Sequence, residues 1–496
     1  GQTALNLSAE LQSAGILADR DVTMIGVSPE AIQRGEDRET FKELMSELGV
    51  ELPRSTTVTT IDDAARVAAE LGYPVVLRPA YTMGGTGGGL VTDETELRVV
   101  CARGLAASLV GQVLVEESVL GWAELEVEVV RDAKGHLIAV CFIENVDSMG
   151  VHTGDSFCTA PALTISDQLR DRLQDTAFRI VSAIEVIGGT NVQFAYDPVT
   201  DRLAVIEINP RTSRSSALAS KATGLPIAMV STLLAAGHTL DEIPYWRDGT
   251  LDKYTPSGDY VVVKFPRWAF EKFQGARDQL GTQMRAVGEV MSIGATYKES
   301  LGKAIRSLES DRPGLGNAAD YRQLDRAELL RRVAVPTSQR HYLMYEAIRA
   351  GTTVDELADL TKVTPWFIEQ MSELVELETE LETYAGARFA DLPDDLLRKA
   401  KLDGFADAYL AQILGVTQNQ VRSRRQRGGI VPGFQAVPVS GVDDANYYFS
   451  TYAAADTVPV PEGRKVMVLG GGAIRIGGSR LGEADCCAAE GVIRPI

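Results

Sequence analysis

The sequence predicts a mixed α/β or α+β region followed by an all-α region. Between residue 22 and about residue 208, apolar strand-like runs alternate with helical patterns, which excludes an all-β sandwich. After about residue 310, a linker-like DRPGLG stretch leads into a pattern that is nearly all helical to about residue 427. The length of 496 residues predicts about three domains.

The individual elements follow from hydrophobic periodicity and capping residues. The VTMIGV run at 22–27 predicts a buried strand, and Ser28 and Pro29 then provide an N-cap and a first helical residue. We expect further helices at about 38–48, 61–71, 94–106 and 166–185. Strands are expected at 74–78, 112–117, 123–130, 137–143, 191–196 and 203–208, and a late one at 465–469 that enters three glycines.

The helical region contains an internal duplication. Residues 357–368 and 410–421 share one apolar pattern at an offset of 53, and Thr364 and Thr417 both stand where a second helix needs an N-cap. The second copy carries a basic stretch at 422–425, as a DNA-binding helix-turn-helix would. The first copy lacks arginine there, so the pattern favours a packing module over a DNA-binding one.

The composition limits the partners and the compartment. There are 49 basic and 68 acidic residues, and the formal charge of −19 argues against a surface that binds nucleic acid or anionic lipid. No apolar stretch approaches the roughly 20 residues that span a bilayer. The five cysteines show no zinc spacing, and their odd number suits reduced thiols. We therefore expect a cytoplasmic protein without a nucleic-acid or membrane partner.

A predicted hairpin carries the most informative polar residues. If the strands at 191–196 and 203–208 pair symmetrically about Thr200, one face is apolar and the other polar. The apolar pairs are Val192 with Ile208 and Phe194 with Ile206. The polar pairs are Asn191 with Asn209 and Gln193 with Glu207.

Arg211 continues this polar face two residues beyond Asn209. Carboxylate and amide oxygens are ligands that Mg²⁺ accepts when it also keeps phosphate oxygens, and an arginine can hold an oxyanion with two hydrogen bonds. The alternative is an amphipathic hairpin with its polar side in water. Because the face lacks the usual Lys, Ser and Thr, the sequence favours a metal–phosphate site.

Three other segments suit a nucleotide. Arg78 leads into a glycine-rich connection between two strands, which is not a Walker A loop but could fold its amides over phosphates; the alternative is a mobile hairpin. The strand at 113–117, with Glu124 shortly after it, suits an adenine slot and a ribose contact, or an ordinary strand end. His152 lies in a glycine-flanked loop that could cover a substrate or simply lie at the surface.

These motifs, in this order, resemble the large subunit of carbamoyl-phosphate synthase, in its N-terminal half. The similarity runs from Gly1 to about Leu469. The segment at 78–89 resembles that family's phosphate-covering loop, and the segment at 144–156 resembles its substrate-side loop. The pattern is completed by the residues at 191–194, 207–211 and 213–224.

The resemblance implies an ATP-grasp domain at 36–310 and a helical oligomerisation domain at 311–460. It also implies a partial Rossmann-like pre-ATP-grasp segment at 1–35 and the incomplete start of a second such domain at 461–496. A homo-oligomer formed through the helical domain is therefore expected.

By resemblance, the chain would use ATP and Mg²⁺ or Mn²⁺ to phosphorylate bicarbonate to carboxyphosphate. Ammonia from a glutaminase small subunit would then give carbamate, for the carbamoyl phosphate of arginine and pyrimidine biosynthesis. Two alternatives are another bicarbonate-activating ATP-grasp enzyme, such as biotin carboxylase, and an inert assembly module. The run at 213–224 and the helical module count against biotin carboxylase.

The resemblance also assigns roles to individual residues. The expected metal ligands are Gln193, Glu207 and Asn209. Arg211, Glu207, Asn209 and Arg214 would act in catalysis, with Arg211 on the bicarbonate-derived oxyanion. The expected nucleotide-binding residues are Arg38, Arg78, Gly84 and Gly85 at the phosphates, Glu117 and Val119 at the adenine, Glu124 at the ribose, and Gly150, Val151 and His152 in the surrounding wall, with Gln193 and Glu207.

Overall fold

The computed structural model describes residues 2–80, 87–108, 110–246, 249–256, 258–273, 275–308, 310–316, 321–440 and 446–458. Gly84, Gly85, the strand expected at 465–469 and the domain start expected at 461–496 lie outside these residues.

The first four described elements are helices, helices and strands are then mixed up to about residue 300, and the later elements are mostly helical. The helices are α1 (Gln2–Ser13), α2 (Ile16–Asp19), α3 (Pro29–Glu36), α4 (Arg38–Glu47), α5 (Ile61–Leu71), α6 (Glu94–Ala107), α7 (Asp167–Ile184), α8 (Arg214–Thr223), α9 (Ile227–Ala235), α10 (Tyr297–Ser307), α11 (Arg326–Val333), α12 (Arg340–Arg349), α13 (Val354–Thr361), α14 (Pro365–Glu382), α15 (Asp394–Leu402), α16 (Asp407–Leu414) and α17 (Gln418–Arg427). The strands are β1 (Ser55–Val58), β2 (Val75–Pro79), β3 (Gly89–Val91), β4 (Val113–Glu117), β5 (Ala123–Arg131), β6 (Leu137–Asn145), β7 (Cys158–Ala160), β8 (Gly188–Asp197), β9 (Arg202–Asn209), β10 (Val261–Arg267), β11 (Gly288–Gly294), β12 (Gly433–Pro438) and β13 (Asn446–Thr451). The four further helices and six strands that the sequence predicts up to residue 208 are confirmed.

The strand predicted at 22–27 is wrong, because these residues form no strand. Val22 and Ile25 are 53% and 73% exposed, and no described strand lies beside them to accept their backbone hydrogen bonds. The helix start after them is confirmed, since the Ser28 hydroxyl accepts a hydrogen bond from Ala31 N at 3.1 Å and Pro29 is the first helical residue.

A seven-stranded antiparallel sheet organises the first region, in the order β11-β10-β7-β6-β5-β8-β9. On one face, Leu125, Val127, Val192 and Phe194 form a core with α7 and the α3–α4 segment. Helix α8 lies on the other face, over β6 and β10, and α9 packs against β8. Strand alternation therefore gives one apolar face and one face with room for polar side chains.

A separate four-stranded antiparallel sheet has the order β1-β4-β2-β3 and is covered by α5 and α6. The predicted position of the glycine-rich segment between two strands is confirmed, because β2 pairs with β3 through Leu77 and Gly89. The glycines are needed there: a Cβ on Gly88 would lie 2.2 Å from the carbonyl oxygen of Leu77. We call this four-stranded unit the small lobe.

The duplicated helical units are confirmed as α13–α14 and α16–α17. Thr417 caps α17 through a capping box with Gln420, whereas the Thr364 side chain makes no capping bond at the start of α14, where Pro365 is the first residue. In α17, Arg425 is buried and its Nε lies 2.9 Å from Asp407. The basic stretch thus contributes to packing among these helices. We call α11–α17 the helical module.

No single described helix is long and apolar enough to cross a membrane. One bent pair, α8 and α9 with 109° between them, meets the length and composition criteria when the two helices are taken together.

One apolar core joins the sheet region to the helical region. It contains Val151 and Phe157 beside β7 together with Phe367 and other residues of the helical module. The His341 ring stacks on Phe157, with centroids 3.6 Å apart and 19° between the planes. Burial lowers the pKa of His341 to about 4, despite the opposing influence of Asp147 and with the help of Arg340.

We expect His341 to make the fold sensitive to mild acid. Its folded pKa lies below the unfolded value, so the unfolded chain binds the extra proton and stability falls as pH drops from about 6.5 towards 4. The expected loss between pH 7 and pH 5 is about 2 kcal/mol in urea unfolding. The His341→Gln variant should lose this component, and an unchanged pH slope in that variant would contradict the assignment.

Candidate active site

The polar face of the β8–β9 hairpin has the predicted pairing at its open end. Asn191 lies opposite Asn209, Val192 opposite Ile208 and Gln193 opposite Glu207. Asn209 Nδ2 donates to Glu207 Oε1 at 3.2 Å, so the carboxylate and the amide are adjacent along the strand. The side chains expected to hold a metal therefore lie on one face within two ladder positions.

The predicted pairing of Phe194 with Ile206 is wrong. A register shift after Gln193 places Val205 opposite Phe194, and both of these side chains are buried. The shift is a β-bulge, which inserts one residue so that the apolar face remains filled while Glu207 stays on the polar face. Symmetry about a turn cannot reveal such an insertion.

Arg211 and Arg214 lie just beyond this hairpin; Arg211 precedes the N-cap Ser213, and Arg214 is the first residue of α8. Arg211 Nη2 donates to Asn209 Oδ1 at 3.0 Å, while its buried Nε has no hydrogen-bond partner. Arg214 Nη1 lies 3.6 Å from Met284 Sδ, and its Nε lies 3.9 Å from Glu289 Oε1. A buried guanidinium N–H without a partner is costly, and an oxyanion would satisfy it.

Glu124 lies on the same face, on the neighbouring strand β5. Its side chain is buried and its Oε2 has no hydrogen-bond partner. Burial, together with the charge of Glu126, raises the pKa of Glu124 well above its usual value. An unsatisfied buried carboxyl oxygen fits a hydroxyl donor, as expected for a ribose contact.

Glu126 and Glu128 lie on the same face of β5 as Glu124, and the three side chains together form a carboxylate row. Neither Glu126 nor Glu128 was predicted from the sequence. Asn191 Nδ2 donates to both, at 3.0 and 2.9 Å, and Ser215 and Ser216 at the start of α8 donate to them at 2.6 and 3.0 Å. Burial and the charge of Glu126 raise the pKa of Glu128 to about 8. The alternation of Glu at 124, 126 and 128 with apolar residues is the sequence signal that could have found them.

A buried lysine lies on the same side of the sheet. Lys264 of β10 donates to the Thr153 carbonyl oxygen at 2.9 Å. Burial opposes its charge, but Cys158, Glu289 and Glu126 raise its pKa. Thr153 in turn donates to Glu126 Oε1 at 2.9 Å, so the lysine is connected to the carboxylate row.

The predicted substrate-side loop follows β6 and lies over this polar face. Gly150 has φ = 122°, and a Cβ there would lie 2.3 Å from Leu120. Val151 is buried, and His152 Nδ1 accepts a hydrogen bond from Gly154 N at 3.0 Å. Burial lowers the pKa of His152, which keeps its ring neutral.

Glu117 joins the small lobe to the large sheet. Its carboxylate lies 2.7 Å from Arg54 Nε and 2.8 Å from Arg202 Nη2, and the Arg202 guanidinium lies 5.0 Å from the centre of the Trp122 ring. Burial acts to raise the pKa of Glu117, but the two arginines outweigh it and lower the pKa. The carboxylate is thus engaged between the lobes, and the backbone N of Glu117 donates to the Arg54 carbonyl oxygen at 2.8 Å. Val119, which follows β4, is buried.

The phosphate-side residues are only partly described. Arg78 Nη2 pairs with Glu116 Oε1 at 3.0 Å on the adjacent strand β4. Arg38 is the first residue of α4, after the N-cap Asp37. Glu124, Gln193, Glu207, Asn209 and Arg211 lie on the polar face of the hairpin and its neighbour β5, whereas Arg78 lies in the small lobe.

A second group of possible metal ligands lies at the opposite end of β5. Asp132, His136 and Asp241 have ligand atoms within 4.8 Å of one another. The Asp132 carboxylate already accepts hydrogen bonds from Leu240 N at 2.8 Å and His136 N at 2.9 Å, and Lys134 pairs with Asp241 at 3.1 Å. These contacts stabilise a turn, and this structural role accounts for the cluster.

Comparison with known proteins decides the family. A model described as the carbamoyl-phosphate synthase L chain, ATP binding domain matches residues 37–243, and the large-chain oligomerisation domain model matches residues 289–429. A Methanopyrus kandleri protein named carbamoyl phosphate synthase large chain, N-terminal section, is 44% identical over 465 residues, with 91% of this chain and 82% of the relative covered. The chain belongs to the carbamoyl-phosphate synthase large-chain family. The family resemblance predicted from the sequence motifs is thereby confirmed.

Other relatives in this family are longer. The large chain of Thermotoga maritima is 48% identical over 483 residues, which cover 96% of this chain and 43% of that protein. The chain therefore spans less than half the length of such relatives.

The solved structures support the fold. The biotin carboxylase of Campylobacter jejuni has a TM-score of 0.51 at 17% identity, over 71% of this chain and 80% of the other. The biotin carboxylase domain of a Hydrogenobacter thermophilus carboxylase, in complex with MgADP, ADP and bicarbonate, also has a TM-score of 0.51. At this identity the likeness shows the fold alone, and it confirms the ATP-grasp prediction.

The contact between the lobes can be tested through Glu117. The Glu117→Gln variant should lower the free energy of unfolding by about 1–2 kcal/mol, because a buried carboxylate loses its charge-assisted bonds to Arg54 and Arg202. The matched control is Glu70→Gln, which breaks an exposed pair with Arg66 and should cost much less, because solvent screens that pair. Urea unfolding compares the two, and equal losses would contradict the inferred role.

Proposed function

We propose that this chain phosphorylates bicarbonate with ATP to form carboxyphosphate. The observation that carries the proposal is the side-by-side placement of Glu207, Asn209 and Arg211 on the polar face, with the Arg211 Nε buried and without a partner. Such an arrangement offers oxygen ligands and an oxyanion-binding group at one place, which phosphoryl transfer to a small anion requires.

The donor set fits a hard divalent cation. Gln193, Glu207 and Asn209 supply one carboxylate and two amide oxygens in adjacent ladder positions, and these would hold Mg²⁺ or Mn²⁺. When bound, the metal would neutralise phosphate charge. The unpartnered Glu124 Oε2 likewise fits the ribose of a nucleotide.

The protein groups would act by positioning and by charge. Bicarbonate is a poor nucleophile, so holding it beside the γ-phosphate supplies much of the rate enhancement. Arg211 would bind the bicarbonate oxyanion with its free N–H, and Arg214 would assist from the start of α8. Arg38, Arg78 and the amides of Gly84 and Gly85 would hold the phosphates, and the loop at 146–156 would exclude water from the labile product.

We further propose that ammonia attacks the carboxyl carbon of carboxyphosphate in the same site, which gives carbamate and releases inorganic phosphate. We also propose that a glutaminase subunit supplies the ammonia and that the helical module mediates homo-oligomer formation. The family membership supports all three proposals, and the two reactions would serve carbamoyl phosphate synthesis for the arginine and pyrimidine pathways. Supply of ammonium chloride in place of the glutaminase tests the amination alone.

Glu207→Gln should abolish bicarbonate-dependent ATP hydrolysis, because it removes the only carboxylate of the proposed ligand set. We expect a loss of at least about 100-fold in kcat. The control is Glu369→Gln, an exposed residue of α14, which should retain full activity. Phosphate release with and without bicarbonate is the measurement, and nucleotide binding by the unaltered chain without any bicarbonate stimulation would favour an inert assembly module.

Arg211→Ala should abolish the bicarbonate stimulation but leave ATP affinity within about threefold, since its proposed partner is the acceptor and not the nucleotide. Arg388→Ala, at an exposed position in the helical region, is the matched control. Isothermal titration with ATP and the phosphate-release assay separate the two effects. An equal loss of nucleotide affinity and stimulation would exclude this role for Arg211.

A further inference from the structure

Hydrogen bonds join the two ends of the loop at 146–156, which we call its neck. Contacts with the helical region hold the loop in place. Val146 N donates to the Phe157 carbonyl oxygen at 2.8 Å, and Asp147 N donates to Ser156 Oγ at 3.1 Å. The carboxylate of Asp147, which is buried, points away from the neck towards the helical region. Its hydrogen-bond partner there is Arg340, the first residue of α12.

The first anchor is this buried contact. Arg340 Nη1 lies 3.4 Å from Asp147 Oδ1, and His341 Nε2 lies 3.9 Å from Asp147 Oδ2. Arg340 is itself held by the carbonyl oxygens of Val333 and Thr361, at 3.2 and 3.4 Å, which belong to α11 and α13. One arginine therefore connects three helices of the module to the base of the loop.

The second anchor reaches the tip of the loop through residues 278–281. His152 N donates to the Gly281 carbonyl oxygen at 2.8 Å. The same segment is fixed by the residues before α12, since Ser338 donates to the Asp278 carboxylate from its N at 2.8 Å and its Oγ at 2.6 Å, and Leu280 N donates to the Pro336 carbonyl oxygen at 2.9 Å.

The apolar side chains of the loop complete the connection. Val146 and Val151 belong to the same continuous core as Tyr345 and Leu357 of the helical region. Because protein interiors are close-packed, a change in the packing of these helices alters the space available to Val151. Val151, which is adjacent to His152, is therefore packed in the same core as the helical module.

We propose that the helical module is a positioning element for the nucleotide-facing loop, in which Arg340 acts through Asp147 and Ser338 acts through Asp278 and Gly281. The expected effect of this positioning on nucleotide binding rests on the proposed function, since Gly150, Val151 and His152 would line the nucleotide site. The physical anchoring does not depend on that function. Neither arginine nor serine would touch the substrate.

Amide hydrogen exchange in the unliganded full chain tests the anchoring directly. We expect Ser338→Ala to accelerate exchange of the amides at 150–154 by about tenfold, because it removes a charge-assisted hydrogen bond to Asp278. Arg340→Met should have a larger effect on the same amides. The matched control is Tyr345→Phe, which keeps the ring and so the packing of the shared core, removes only a buried 2.8 Å hydrogen bond to Glu378 within the module, and should leave the loop protected.

Equal protection of these amides in Ser338→Ala and in the control, at matched melting temperatures, would overturn the proposal. If Arg340→Met does not fold, Ser338→Ala decides the outcome alone. Ser338→Thr keeps the hydroxyl and should restore the protection.

Steady-state kinetics then test the link to the nucleotide site. Ser338→Ala should raise the KM for ATP at least threefold in the bicarbonate-dependent assay, with a smaller change in kcat, while Tyr345→Phe leaves both unchanged. An unaltered KM would refute the positioning role. If the unaltered chain hydrolyses no ATP, the proposed function fails, whereas the exchange result still reports on the anchoring.

Discussion

The pairing of β5 with β8 and of β8 with β9 is the constraint on which the rest of the site depends. In this register, alternate residues of three adjacent strands fall on one face. The pairing thereby brings together side chains that are up to 85 residues apart in the chain. A slip by one residue would turn Glu124, Gln193 and Glu207 into the apolar core and Phe194 into the site. The β-bulge after Gln193 belongs to the same constraint, since it adjusts the apolar face without disturbing the polar one.

Much of this could be predicted because it is local. A short hairpin with clear alternation specifies its own pairing, so Gln193 and Glu207 could be placed opposite each other, and the caps at Ser28 and Thr417 could be read from adjacent residues. The VTMIGV run at 22–27 shows the limit of this approach, because apolar character alone does not supply the neighbouring strand that a strand requires.

The contacts that the sequence could not show are those between distant elements. Glu117 and Arg202, or Asp147 and Arg340, are separated by 85 and 193 residues, and no local pattern relates them. In each pair, a buried carboxylate contacts an arginine that comes from another layer of the structure. Such residues resemble ordinary charged surface residues until the fold brings them together, which is why Glu117 was assigned only to an adenine slot.

The carboxylate row also changes how the formal charge of −19 should be understood. That figure counts every acid as ionised, yet burial makes Glu124 and Glu128 weak acids in the folded chain. At pH 7 Glu128, whose pKa burial raises to about 8, retains a proton that an extended chain would give up to solvent. Unfolding is consequently coupled to proton release, so the calorimetric heat of denaturation includes the ionisation enthalpy of whichever buffer absorbs that proton.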